Sequence, residues 1–114
     1  MESVRIIWRS AEFDDYYYNL PDRVRVKYDY ALQILETQRV VSERFVKKMT
    51  DTALYEVRIS VGNNEYRTLI FTVDNRSFIL SSKVLLLNSF MKKDKRQYKK
   101  EIEKAMHILK KMMR

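Results

Sequence analysis

Leu54-Tyr55-Glu56-Val57-Arg58-Ile59-Ser60-Val61, then Gly62-Asn63-Asn64, then Glu65-Tyr66-Arg67-Thr68-Leu69-Ile70-Phe71-Thr72-Val73, is the stretch that decides the fold. The first run alternates. Tyr55, Val57, Ile59 and Val61 fall on one face, and Glu56, Arg58 and Ser60 on the other, the period of a half-buried strand. Gly62-Asn63-Asn64 supplies residues that tolerate the positive φ of a hairpin turn. Glu65 to Val73 is then the return strand. Pairing Val61 with Tyr66 sets Ser60 against Arg67 and Arg58 against Leu69. Arg58 and Arg67 then leave the same face as diagonal neighbours, and a slip of one residue would separate them. Arg67 is in phase with Leu69, Phe71 and Val73, and an arginine on an otherwise apolar strand face needs a partner or a cleft.

Beyond the hairpin, Asp74 to Ser82 reads as a loop with a short strand at Phe78 to Leu80. Lys83 to Phe90 is the most apolar strand. Its Val84-Leu85-Leu86-Leu87 core has no alternation, which predicts a central strand covered on both faces. The last element is a helix from about Asp94, its N-cap. Tyr98, Ile102, Ala105, Leu109 and Met112 form its apolar stripe, and most of its lysines fall outside that stripe.

Ahead of the hairpin, Val4 to Trp8 is a first strand and Glu12 to Asn19 a short helix. Pro21 opens a second helix, a position where its missing N–H costs nothing. Val24, Tyr28, Ala31, Leu32 and Leu35 make one apolar stripe on it. The two helices predict a helical hairpin laid on the sheet. Residues 38–52 are polar and basic, with one helical turn expected around Arg44 to Met49. The expected order is β-α-α-β-β-β-α, a single α+β domain over residues 1–114. It has a small, mostly antiparallel sheet, an N-terminal helical hairpin and a C-terminal helix.

Composition excludes much chemistry. The 114 residues contain one Gly, one Pro, one His and no Cys. That removes a disulfide framework, a thiolate nucleophile, a Cys or His metal cluster and a Gly-rich phosphate loop. No metal site and no cofactor is expected. Met1-Glu2-Ser3 lacks the order of a signal peptide, and no apolar run is long enough to span a bilayer, so a cytoplasmic, non-membrane protein is expected. The net charge is +8 and is unevenly placed. From Met91 to Arg114 there are ten basic and three acidic residues, giving +7, while residues 1–90 carry +1. A polyanion or an acidic partner is the natural inference.

Several runs come in a telling order: Leu54 to Ile59, Glu65 to Phe71, Leu86-Leu87-Asn88-Ser89-Phe90-Met91-Lys92-Lys93, Tyr98, and Glu101-Ile102-Glu103-Lys104-Ala105. Together they resemble the RelE/HigB superfamily of bacterial toxins, in its HigB-like, phage-derived branch. The resemblance covers nearly the whole chain, and the Leu54-to-Lys93 block is its most specific part. It implies a RelE-like, microbial ribonuclease-like fold and a type II toxin–antitoxin toxin. Such a toxin is an mRNA interferase that cleaves mRNA on the ribosome and inhibits translation. A small cognate antitoxin with a helix-turn-helix domain neutralises it.

By position, the resemblance implies that Arg58 lies against RNA and that Arg67 contacts the scissile phosphate. It implies that Lys93 stabilises the transition state and that Tyr98 corresponds to the superfamily's C-terminal tyrosine across a one-residue gap. Lys92, Lys95, Lys99, Lys47, Lys48 and Asn88 are the further RNA-binding candidates. The chain departs from the family where Asn88 replaces a common His and where Glu56 replaces a second lysine. His107 lies deep in the final helix.

RNA cleavage by a 2′-hydroxyl needs a base, cations for the phosphorane and an acid for the leaving oxygen. Arg and Lys suit the middle task. Guanidinium forks match phosphate oxygens, and stabilising charge in the transition state is commonly what accelerates such a reaction most. Without a placed His, proton transfer falls to Tyr98, Glu56 or a lysine. Plainer readings stay open beside these roles. Arg58 also reads as a cross-strand ion-pair partner, Tyr98 as the start of an apolar stripe and most helix lysines as a solvated face. Two other functions also remain: a gyrase inhibitor on the same fold, and a non-catalytic basic module that binds nucleic acid.

Overall fold

The computed structural model describes residues 2–114; Met1, part of the N-terminal tripeptide read above, lies outside the described residues. Eight elements follow in the order β1 (Ile6–Arg9), α1 (Ala11–Tyr18), α2 (Asp22–Thr37), β2 (Val46–Lys48), β3 (Leu54–Val61), β4 (Asn64–Thr72), β5 (Lys83–Met91) and α3 (Arg96–Met112). This is an α+β fold. Its five strands form one sheet in the order β1-β5-β4-β3-β2. All neighbours are antiparallel except β1 and β5, so the sheet is mixed.

The alternation of β3 divides the core between the two faces. Val57, Ile59 and Val61 pack with Phe13, Tyr17, Val24, Tyr28, Ala31 and Leu35 beneath the α1–α2 hairpin. Leu54, Leu69, Leu85, Leu87 and Phe90 pack with Ala105, Ile108 and Leu109 of α3 on the other face. β5, covered from both sides, is buried from Val84 to Phe90, as its unbroken apolar run demands. Ser10 caps α1 by accepting from the Phe13 amide at 2.9 Å. Asp94 caps the start of α3 by accepting from the amides of Arg96 (2.9 Å) and Gln97 (3.2 Å).

Three expectations need correction. The segment around Arg44 to Met49 is not a helical turn through its length: Val46–Lys48 is an extra strand, because Val46 is buried and pairs with Val57. Phe78 to Leu80 is a turn rather than a strand. The Phe78 ring lies under the Arg5 guanidinium, 3.9 Å away, which fixes the loop without sheet pairing. The hairpin register is offset by two residues. Val61 pairs with Asn64, because the turn is only Gly62-Asn63, with Gly62 at φ 60 in its first position. A shift of two preserves faces, so Arg58 and Arg67 stay together and stand directly opposite each other.

Among the described residues, no helix is long and apolar enough to cross a membrane.

Candidate nucleic-acid interface

The β3–β4 register builds the site. Arg58 faces Arg67, and Ser60 faces Glu65 two pairs nearer the turn. Residues two apart in a strand share a face, so Glu56 joins Arg58, and Glu65 joins Arg67. Across β2, Lys47 is paired with Glu56 and lies on this face too. In the first turn of α3, Tyr98 closes the arrangement from above.

Five side chains interlock. Arg58 Nε donates to Glu56 Oε1 at 2.9 Å. Arg67 Nε donates to the Tyr98 hydroxyl at 3.2 Å, and Arg67 Nη1 to Glu65 Oε1 at 3.3 Å and to the Tyr66 carbonyl at 3.0 Å. Glu56 Oε1 also stands 4.0 Å from Arg67 Nε. The Arg58 side chain keeps 33% of its surface exposed, whereas Arg67 keeps 6% and Glu56 8%. Arg58 is therefore the guanidinium a ligand can reach directly.

The surroundings bias the protons. Burial, then the negative charge of Glu56, raises the Tyr98 pKa above the ordinary tyrosine value. A tyrosine so placed holds its proton and can donate it, but makes a poor base. Glu65 is lowered from the usual carboxylate value, chiefly by the Ser60 hydroxyl and then by Arg67. Beneath the site runs a chain of buried hydroxyls. Ser89 Oγ donates to the Arg67 carbonyl at 2.9 Å and meets Thr68 Oγ1 at 2.9 Å and the Tyr28 hydroxyl at 2.6 Å. It ties α2 to the strand that carries Arg67, beside the β4–β5 irregularity between Thr68 and Ile70.

The basic segment after β5 is pinned at its backbone. The Lys92 amide donates to the Glu65 carbonyl at 2.7 Å, and the Lys93 amide to Gln97 Oε1 at 2.8 Å. Lys92, Lys93, Lys95 and Lys99 are exposed. An open groove of about 650 Å³ runs along the start of α3 and is lined by Lys93, Arg96, Lys99 and Lys100, with Asp94 and Glu103. Arg58, Arg67 and Tyr98 do not line this groove.

The other candidates separate. Lys48 pairs with Tyr55, its ammonium 5.6 Å from the Tyr55 ring, on the opposite face from Lys47. Asn88 is 1% exposed beneath α3, where its amide donates to the Glu101 carbonyl at 3.1 Å and to Glu101 Oε1 at 2.9 Å. His107 is exposed on α3, far along the helix from Tyr98. The two carboxylates that neutralise the arginines carry a signal in the sequence: Glu56-Val57-Arg58 and Glu65-Tyr66-Arg67 repeat the same spacing on facing strands.

Residues 15–110 match the family described as Phage derived protein Gp49-like (DUF891). The chain belongs to the Gp49-like family. Gp49-like proteins are associated with the toxins of toxin–antitoxin systems, and a toxin of that kind implies a cognate antitoxin as partner. No curated protein and no solved structure gives a match.

Proposed function

We propose that this Gp49-like protein is a type II toxin of the RelE/HigB kind, a cytoplasmic endonuclease that cuts mRNA on the ribosome. The observation that carries the reading is the pair Arg58 and Arg67, opposed across the hairpin, with Glu56 on one side and Tyr98 above. In this mechanism the Glu56 carboxylate takes the proton of the 2′-hydroxyl as that oxygen attacks phosphorus. The 5′-oxygen leaves with the proton of Tyr98, and the product ends in a 2′,3′-cyclic phosphate. Arg58 and Arg67 hold the charge that grows on the non-bridging oxygens. Lys93, with Lys92, Lys95, Lys99 and Lys47, guides the RNA backbone to them. A cognate antitoxin with a helix-turn-helix domain is the expected neutralising partner.

The test is mRNA cleavage on purified ribosomes, alongside growth arrest on expression. Arg58→Ala should lower cleavage about 10²–10³-fold, the scale of removing one oxyanion-stabilising donor, while the protein stays folded. Wild-type cleavage by that variant would overturn the site.

A second reading has its own observation. Both arginines are already held by carboxylates within the site, Glu56 and Glu65. A basic binding module with no cleavage follows if those pairs never open. It predicts RNA affinity that falls steeply with salt and no cleaved product.

A further inference from the structure

Leu87 and Asn88 of β5 together oppose Leu69 of β4, because Ile70 pairs with Leu86 and Thr68 with Ser89. Such a bulge re-aims a side chain. Consecutive side chains of an unbroken strand point to opposite faces, yet here both of these serve the α3 side. Leu87 packs in the core beneath α3. The Asn88 amide donates to the Glu101 carbonyl at 3.1 Å and to Glu101 Oε1 at 2.9 Å. Alternation then resumes. Ser89 meets the Tyr28 hydroxyl of α2, and Phe90 returns to the α3 side, its ring edge-on to that of Tyr98 with centroids 5.5 Å apart.

The chemistry of Asn88 points to a purpose other than packing. Both of its partners are acceptors, so the nitrogen end of the amide must face α3. Among the described residues, its Oδ1 is buried without a hydrogen-bond partner. A buried acceptor left in that state is costly, and an apolar side chain would avoid the cost. What the amide supplies, and an apolar side chain cannot, is the pair of bonds to Glu101. Direct contact with RNA is closed to a residue that is 1% exposed.

Glu101 lies one turn beyond Tyr98, on the same side of the helix. The preceding residue, Gln97, is anchored as well: its Nε2 donates to the Met91 carbonyl at 2.9 Å, and its Oε1 accepts from the Lys93 amide at 2.8 Å. Tyr98 thus sits between two anchored points of α3. Gln97 ties the helix to the segment after β5, and Asn88 ties it to the middle of that strand. The Tyr98 hydroxyl meets Arg67 Nε at 3.2 Å, a contact that a small slide of α3 would break.

We propose that Asn88 is a positioning residue: through Glu101 it fixes the first turn of α3 over the sheet and so sets the Tyr98 hydroxyl against Arg67. Its consequence for cleavage rests on the toxin reading above; the placement of Tyr98 does not.

Two readouts test it. The first is the titration of Tyr98, followed by NMR in protein labelled with 13C at the tyrosine Cζ and assigned with Tyr98→Phe. The second is kcat and KM for mRNA cleavage on purified ribosomes. Asn88→Ala should move the Tyr98 titration down toward the ordinary tyrosine value, as the ring gains solvent. It should lower kcat about 10–10²-fold with KM unchanged, the scale of a small misplacement in a reacting site. Asn88→Asp turns an acceptor toward two acceptors and should do more damage. Adding Glu101→Gln gives that aspartate a donor, so the double variant should recover both the Tyr98 titration and kcat relative to Asn88→Asp alone. This pair keeps the test decisive if Asn88→Ala does not fold. An unmoved Tyr98 titration in folded Asn88→Ala, a raised KM with kcat intact, or no recovery in the double variant overturns the proposal. If the wild type cuts no mRNA, the toxin reading falls, and the Tyr98 titrations alone decide the role of Asn88.

Discussion

Arg67 Nε lies 3.2 Å from the Tyr98 hydroxyl, and this contact joins the middle strand of the sheet to the first turn of its last helix. Arg67 therefore serves the fold as well as any ligand. Arg67→Ala removes a buried cation and takes partners from Glu65 and the buried Glu56. It should cost about 3 kcal/mol, the scale of breaking a buried pair. Tyr98→Phe should cost about 1 kcal/mol, one hydrogen bond. Arg58→Ala, on a half-exposed side chain, should cost about 1 kcal/mol or less. Urea unfolding of the three variants measures the ranking. Equal loss at positions 58 and 67 would refute the division between a structural and a reachable arginine.

That division marks where the sequence stops being readable. The alternation of Tyr55 to Val61 and the apolar run at Val84 to Leu87 were sufficient to place two faces and a central strand. Both depend on burial, and burial leaves a period in the sequence. The pairing offset was not readable in the same way. It depends on whether the turn holds two residues or more, and Gly62-Asn63-Asn64 allows either. The face shared by Arg58 and Arg67 survived because the error was an even number of residues. The closed state of the site was half legible. Glu-x-Arg occurs on both strands, yet only the folded register shows the carboxylates engaged by those arginines. Asn88 looked like a strand-end candidate, but α3 lies over it, a tertiary fact with no local trace.

Arg5 should be among the least replaceable residues. It is 1% exposed, and its hydrogen-bond partners among the described residues include no carboxylate. Its guanidinium donates to the carbonyls of Leu35 (2.9 Å), Gln38 (2.6 Å), Arg39 (2.7 Å) and Phe78 (3.0 Å). Burial, then the nearby Arg39 charge, lowers its pKa to about 10, so it remains charged at neutral pH. Four carbonyls lose their donor together in Arg5→Met. The expected loss is about 3–5 kcal/mol, with the β4–β5 loop and the end of α2 released first. Hydrogen exchange of residues 76–82 checks this, and unchanged protection there would contradict the clamp.

Stability should fall on the alkaline side. Burial raises Tyr16 to about 12 and raises Tyr28 further, and burial with the Glu56 charge raises Tyr98. Unfolded tyrosines titrate near ~10. Between the two values the unfolded chain has released protons that the folded chain still holds. The stabilisation is thus complete below about pH 10 and is lost as pH climbs through the folded values. Tyr16→Phe should flatten the decline while leaving stability near neutrality almost unchanged. Thermal unfolding from pH 8 to 12 reads both, and an identical alkaline slope in the variant would refute the assignment.

Under the proposed function, salt dependence separates the lysines assigned to RNA from those that are merely solvated. On a single strand, each lost phosphate contact lowers the slope of log K against log salt by about 0.7. Lys92 and Lys93 follow the end of β5, their amides pinned to Glu65 and Gln97, so their side chains start from fixed backbone positions. Lys92→Ala and Lys93→Ala should each remove about one contact and weaken binding alike across RNA sequences. Lys47→Ala should act in the same direction, because its register with Glu56 places it on the arginine face. Lys48→Ala should leave the slope unchanged, because Lys48 is paired with Tyr55 on the opposite face. The comparison of positions 47 and 48 tests the face itself: they are adjacent in sequence and alike in charge, and they leave opposite sides of the sheet. Equal slopes for Lys47→Ala and Lys48→Ala would mean that RNA does not distinguish the two faces.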